Sequence, residues 1–166
     1  GAGAILLEPS NDETGIIDAK LYADGSGVKQ LYQPGGGSMM PASLDSVVNK
    51  QHYIHMDGQS VFKFAVVKMA DVAEEMMLRN NLKSEDIAFL TPHQANKRII
   101  EATANRMGVS MDKVMMNIHK YGNTTSATIP LCLAEWEHLL KKGDNVIITT
   151  FGAGFTWGGM YVKWSY

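Results

Sequence analysis

Between Gly58 and about Asn80, apolar side chains return at helical spacing. Val61, Phe62, Ala65, Val66, Met69, Val72, Ala73 and Met76 fall on one face, with Lys68, Asp71, Glu74 and Glu75 between them. This predicts a long amphipathic helix. Beyond it, the run from Asp86 to Leu90 reads as a short strand ending at Thr91-Pro92. A helix is predicted from about Gln94 to Met107, stopped by Gly108. Val114–Ile118 reads as another short strand. Thr124 or Thr125 caps a third helix that runs to about Lys142, with basic residues in its last turn and Gly143 after it. Asn145–Thr150 is strongly β-branched and predicts a strand. Phe151–Gly154 then makes a turn into a last strand, Thr156–Trp164.

Upstream, residues 2–8 are apolar and read as a buried strand, and Gly15–Asp24 reads as a second one. Residues 25–41 hold Gly25, Gly27, Pro34, Gly35, Gly36, Gly37 and Pro41, which predicts a long loop of the kind that serves sites or interfaces. From residue 15 onward the order is strand, helix, strand, helix, strand, helix, strand, strand. Such alternation predicts an α/β unit, βαβαβαββ, with a mixed, mostly parallel five-stranded sheet covered by helices. The final pair, joined by a short glycine-rich turn, should be antiparallel. Residues 2–8 stand outside this count and share the character of the last strand, as though ending a preceding copy of the unit. The expected division is therefore 1–14, a terminal strand, and 15–166, the main domain.

Composition narrows the class. A chain of 166 residues with 45% hydrophobic content suits one domain with a real core. A net charge of −2 does not point to nucleic acid. No apolar run reaches the roughly 18 residues needed to span a bilayer. The single cysteine, Cys132, excludes an intrachain disulfide and suits a reducing, cytoplasmic setting. No signal-peptide pattern is present, and without a starting Met the chain begins as a fragment would.

Three segments could carry chemistry. His93, in Thr91-Pro92-His93-Gln94-Ala95-Asn96, lies just past a predicted strand and opens a helix, where ligand sites of open α/β sheets lie. Taken alone, it could equally be a helix cap. Asn123, in Tyr121-Gly122-Asn123-Thr124-Thr125-Ser126, also follows a strand and opens a helix, and by itself reads as an N-cap or turn residue. Phe151-Gly152-Ala153-Gly154 could bring a backbone N–H close to a ligand or be a tight turn only. All three stand at C-terminal ends of predicted parallel strands, which share one edge of the sheet. They should converge. His52-x-x-His55 lacks carboxylate or cysteine ligands at metal-site spacing, so no metal site is expected. Eleven methionines are read as core filler.

HQANKRI, YGNTTSATIP and FGAGFTWG, in this order and spacing, together with GAGAILLEP and LYADGSG, resemble the C-terminal half of type III β-ketoacyl-acyl-carrier-protein synthases over essentially the whole chain. The resemblance implies a thiolase-like fold and a decarboxylative Claisen condensation. It also implies that 1–14 belongs to a missing N-terminal half and that 15–166 is the C-terminal domain. An active-site cysteine takes an acyl group from an acyl-CoA primer such as acetyl-CoA. Malonyl-acyl carrier protein is decarboxylated, and its enolate attacks that acyl group, giving 3-oxoacyl-acyl carrier protein, CO2 and CoA. His93 and Asn123 would stabilise the enolate, and the Ala153 N–H the second oxyanion. Asn96, Gly58, Phe62 and Phe151 would line the substrate and CoA path, and Arg98, Lys63 and Arg106 would dock the acidic carrier protein. Gln59 stands where the family usually has a small polar residue.

The resemblance further implies CoA and phosphopantetheine thioesters as substrates, no cofactor, and a homodimer at full length. Cys132, inside LCLAEWEHLL, is not the family's nucleophile and reads as a small buried hydrophobe, so the chain alone should be inactive. The alternatives are a related synthase of polyketide or alkylquinolone synthesis, a hydroxymethylglutaryl-CoA synthase, or a non-catalytic module that binds a carrier protein.

Overall fold

The computed structural model describes all 166 residues. Its centre is a four-stranded mixed sheet in the order β1-β6-β5-β4, formed by β1 (Gly15–Ala23), β4 (Ile87–Pro92), β5 (Asn145–Gly152) and β6 (Thr156–Lys163). β4 and β5 are parallel, whereas β6 is antiparallel to both β5 and β1. The long helix α2 (Gly58–Arg79) and helix α3 (Lys97–Met107) cover one side together. Helix α5 (Thr128–Trp136) packs on β4 and β5 through a cluster of Met115, Cys132, Leu140 and Val146 with Phe89 against it. The largest core cluster joins Ala73, Met76 and Met77 of α2 to Ile100, Ala104 and Met107 of α3 over Ile87, Leu90 and Ile147.

α2 buries Ala65, Met69, Ala70, Val72, Ala73, Met76 and Met77, much of the stripe expected from the spacing. Its approach to β6 requires a residue without a side chain. A Cβ on Gly159 would lie 2.9 Å from Val72 Cγ2 and 3.1 Å from the Val72 carbonyl oxygen. α3 ends at Gly108, which has a left-handed φ of 68° and donates its N–H to the Ala104 and Asn105 carbonyls.

Some expected elements differ. The fifth strand, Val114–Ile118, is reduced to one parallel bridge between Leu90 and Val114, with the Met115 N–H on the Leu90 carbonyl at 2.9 Å. It goes no further because the Gln94 side chain takes the N–H groups of Asn117 and Ile118, and the backbone turns into the short helix α4 (Ile118–Tyr121). Pairings in the sheet proper are therefore more antiparallel than parallel.

Residues 2–8 form no strand and are exposed. The tail lies along α5, away from any sheet edge: a Cβ on Gly1 would meet Thr124, one on Gly3 would meet Pro130, and Asp12 pairs with Lys142 at 2.6 Å. Without a neighbouring strand its backbone groups have no ladder to join. The expected helix to Lys142 is shorter, with 3₁₀ turns at Thr125–Ala127 and Glu137–Leu139 on either side of α5. Within the long loop and the segment after it, β2 (Leu31–Tyr32) pairs with β3 (His55–Met56) around helix α1 (Leu44–Val48).

Candidate active site

The sheet places His93 at its C-terminal edge. The His93 N–H donates to the Thr149 carbonyl of β5 at 2.8 Å, extending the β4–β5 ladder by one residue. The ring is half-buried, and Nδ1 lies 2.6 Å from Oγ1 of Thr128, the first residue of α5. Burial pushes the imidazole pKa below its ordinary 6.5. The ring is therefore neutral at pH 7, and its Nε2 has no hydrogen-bond partner in the chain. His93 is not the cap of α3. Asn96 caps it, its Oδ1 accepting the Arg98 N–H at 2.9 Å.

Asn123 stands between α4 and the Thr125–Ala127 turn, exposed. Gly122 before it has φ 67° and ψ −158°, a conformation that essentially only glycine tolerates. The Asn123 Oδ1 accepts the Thr125 N–H at 2.9 Å, which occupies the oxygen and leaves the amide Nδ2 as a free donor. Thr125 sits at φ 58°, which costs a β-branched residue roughly 1–2 kcal/mol. The same residue accepts the Thr128 N–H on its carbonyl. One short turn thus braces both candidates, Asn123 through Thr125 and His93 through Thr128.

The two loops are also tied from beneath by Gln94, which is fully buried. Its Nε2 donates to the carbonyls of Pro92 at 2.7 Å and Met115 at 3.2 Å. Its Oε1 accepts from the N–H groups of Asn117 at 3.0 Å and Ile118 at 3.2 Å. All four hydrogen bonds that a glutamine side chain can make are satisfied. Gln94, Thr125 and Thr128 were present in the motifs, yet nothing in their spacing marked them as braces, because their partners lie on other elements.

At the third segment, Ala153 is exposed, keeps φ out of the left-handed region, and has no acceptor for its N–H in the chain. It follows Thr149, the residue that holds the His93 backbone, on the same strand end. The Phe151 ring is buried against Phe64 and Phe155, with ring centroids 5.9 and 5.0 Å apart, so it belongs to the core beneath the site.

Of the remaining candidates, Gly58 opens α2 behind the capping Asp57. The Arg98 guanidinium stacks on the Phe62 ring at 4.8 Å, which joins the N-terminal ends of α2 and α3. Lys63 lines an open groove of about 390 Å³ with Gln30, Ser60, Phe64, Val67 and Lys68. Gly58, Phe62, Asn96 and Arg98 therefore lie at the adjoining N-terminal ends of α2 and α3, whereas Lys63 faces the groove. Arg106 does not join them. It bonds Glu74 at 2.8 Å and Asp71 at 3.4 Å, and lies roughly 12 Å along α3 from Arg98 at 1.5 Å per residue. Cys132 is fully buried, its thiol 3.1 Å from Asn117 Oδ1, and burial pushes its pKa up to about 12. It cannot serve as a thiolate nucleophile. His52 bonds Ser46 and His55 stacks on Tyr32.

Residues 77–164, more than half of the chain, match the family described as 3-oxoacyl-[acyl-carrier-protein (ACP)] synthase III C terminal. The chain belongs to this family. It is 56% identical over 166 residues to the β-ketoacyl-[acyl-carrier-protein] synthase III of Porphyromonas gingivalis, covering all of this chain and 50% of that one. The synthase III structure from Pseudomonas aeruginosa superposes with a TM-score of 0.83 at 32% identity, over 95% of this chain and 49% of that one. That from Aquifex aeolicus gives 0.80 at 35% identity, over 94% and 46%. The thiolase-like fold expected from the sequence is thereby established. The chain spans about half the length of the curated relatives it matches.

Proposed function

We propose that this chain supplies the decarboxylation side of a synthase III condensing site acting on a malonyl thioester carried by acyl carrier protein. The observation that carries the reading is the shared brace. The 125–128 turn holds His93 and Asn123 from behind and leaves His93 Nε2 and Asn123 Nδ2 unbonded. Loss of CO2 from the malonyl group moves an electron pair toward the thioester oxygen. Two donors fixed in advance lower that barrier, each by a few kcal/mol. Asn123 donates at any pH, and His93, kept neutral by burial, adds no charge that would need compensation.

The enolate carbon then attacks an acyl thioester on a cysteine and releases the thiolate. Cys132 is too buried to be that cysteine, so it must come from a partner half, as must the wall facing His93. Ala153 N–H would stabilise the oxyanion on the acyl group. Large side chains left uncovered on the outer strand and the loop region, among them Leu21, Leu44 and Val48, fit a surface that such a half would cover. Arg98 and Lys63, both near the N-terminal ends of their helices on a mildly acidic chain, would meet the acidic carrier protein. The relatives' name, β-ketoacyl-[acyl-carrier-protein] synthase III, supports a carrier-protein-bound 3-oxoacyl product, and the motif resemblance adds an acyl-CoA primer and a fatty-acid-initiating role.

The test uses an intact protein with this sequence as its C-terminal half. His93→Ala and Asn123→Ala should each lower malonyl-carrier-protein decarboxylation roughly 100-fold or more. Acylation of the cysteine by acyl-CoA, read by mass shift, should remain. Retained decarboxylation, or loss of acylation instead, would overturn the assignment.

A further inference from the structure

The hydroxyl of Thr128 has one proton and two acceptors within reach. His93 Nδ1 is 2.6 Å from its Oγ1 and the Thr125 carbonyl oxygen is 2.9 Å away. The two choices have opposite consequences for the site. If the proton points to the carbonyl, Oγ1 must accept from Nδ1–H, and a neutral imidazole then has a bare Nε2. If it points to Nδ1, the imidazole proton sits on Nε2, the nitrogen with no partner in the chain. Only the second arrangement makes His93 a donor.

The donor role read for His93 selects the second, and the surroundings permit it. The Thr125 carbonyl already accepts the Thr128 backbone N–H, so it does not depend on the hydroxyl. Nδ1 has no other partner. Thr128 is 1% exposed, so its hydroxyl is shielded from water. In the arrangement that makes His93 a donor, Nδ1 is bare, and without the hydroxyl proton it would carry the desolvation cost of an unpaired acceptor.

We propose that Thr128 is a positioning residue that sets the tautomer of His93, donating its hydroxyl proton to Nδ1 and so holding the imidazole proton on Nε2. This rests on the reading of His93 as an enolate donor, but the tautomer itself can be measured without any reaction. Thr128 touches no substrate and acts through His93. The requirement is for a hydroxyl at this place and not for a threonine, so serine should replace it and the near-isosteric valine should not.

The experiment takes intact protein labelled with ¹⁵N-histidine, as wild type, Thr128→Ser and Thr128→Val, with the His93 signals assigned by their loss in His93→Ala. Imidazole ¹⁵N shifts at pH 7.5 should show a protonated Nε2 and a bare Nδ1 in wild type and T128S. In T128V, Nδ1 should gain proton occupancy at the expense of Nε2. Malonyl-thioester decarboxylation should fall roughly tenfold in kcat in T128V, with KM little changed, and recover in T128S. If T128V keeps the wild-type shifts, or wild type has its proton on Nδ1, the proposal fails even when His93→Ala abolishes decarboxylation. If the shifts behave as stated but His93→Ala leaves decarboxylation intact, the catalytic reading fails and the tautomer assignment stands. A T128V protein that melts early is covered by T128S: loss of the Nε2 proton in folded T128S also overturns the proposal.

Discussion

Replacing Gln94 by leucine removes the side-chain amide that joins the His93 loop to the segment leading to Asn123, at nearly constant volume. The N–H groups of Asn117 and Ile118 lose their acceptor inside a region where Gln94 and Asn117 are almost fully buried. At about 1–3 kcal/mol for each buried donor left unpaired, the two together cost roughly 2–6 kcal/mol. The carbonyls of Pro92 and Met115 lose a donor as well. Burying a leucine side chain returns about 1.5–2 kcal/mol. The net expectation is a loss of about 3 kcal/mol, a large share of the 5–15 kcal/mol that stabilises an ordinary domain.

Urea unfolding of the intact protein, followed by tryptophan fluorescence, measures the shift in midpoint. Decarboxylation assayed well below that midpoint measures the site. Q94L should lose both stability and rate, because the same four bonds hold the core and fix the spacing of the two donors. A variant within about 1 kcal/mol of wild type would refute the reasoning, since it would mean that the backbone donors find other acceptors at no cost.

Other outcomes follow from the same structure. Arg98→Glu should raise KM for malonyl-carrier protein more than for the CoA primer, whereas Arg106→Glu should leave both nearly unchanged, because Arg106 is already committed to Asp71 and Glu74. Since burial lowers the His93 pKa, the ring is less protonated at pH 6.5 than a free imidazole, which is half protonated there. Decarboxylation of a pre-acylated enzyme should therefore fall on acidification at a lower pH than the titration of a free imidazole. His93's contribution to stability should be whole above pH 6.5 and fall as pH drops below it, where the unfolded state binds the proton first. Cys132, with its pKa near 12, should escape iodoacetamide at pH 8 in the folded protein and react in urea, as read by peptide mass mapping. Gly122→Ala forces a side chain into a φ of 67° with ψ of −158°; it should cost at least about 1 kcal/mol and lower the decarboxylation rate by displacing Asn123.

Local pattern alone was enough for the elements whose burial repeats along the chain. The stripe in α2, the β-branched run in β5 and the glycine after α3 each state their geometry within a few residues. The order of strands and helices put His93 and the Phe151–Gly154 turn, at the ends of β4 and β5, at one sheet edge, because parallel strands end together, whereas Asn123 follows α4 and not the expected strand. The quoted motifs added the family. What adjacency in sequence does not encode had to come from the fold. The strand expected at Val114–Ile118 stopped at one bridge because Gln94, on another element, takes the next two backbone donors. Residues 2–8 had the apolar character of a strand, but a strand needs a neighbour. Arg106 looked like a docking cation until α2 placed two carboxylates beside it. Thr128 was an unremarked residue at a helix start. Only tertiary contact shows that its single hydroxyl proton decides which nitrogen of His93 can donate.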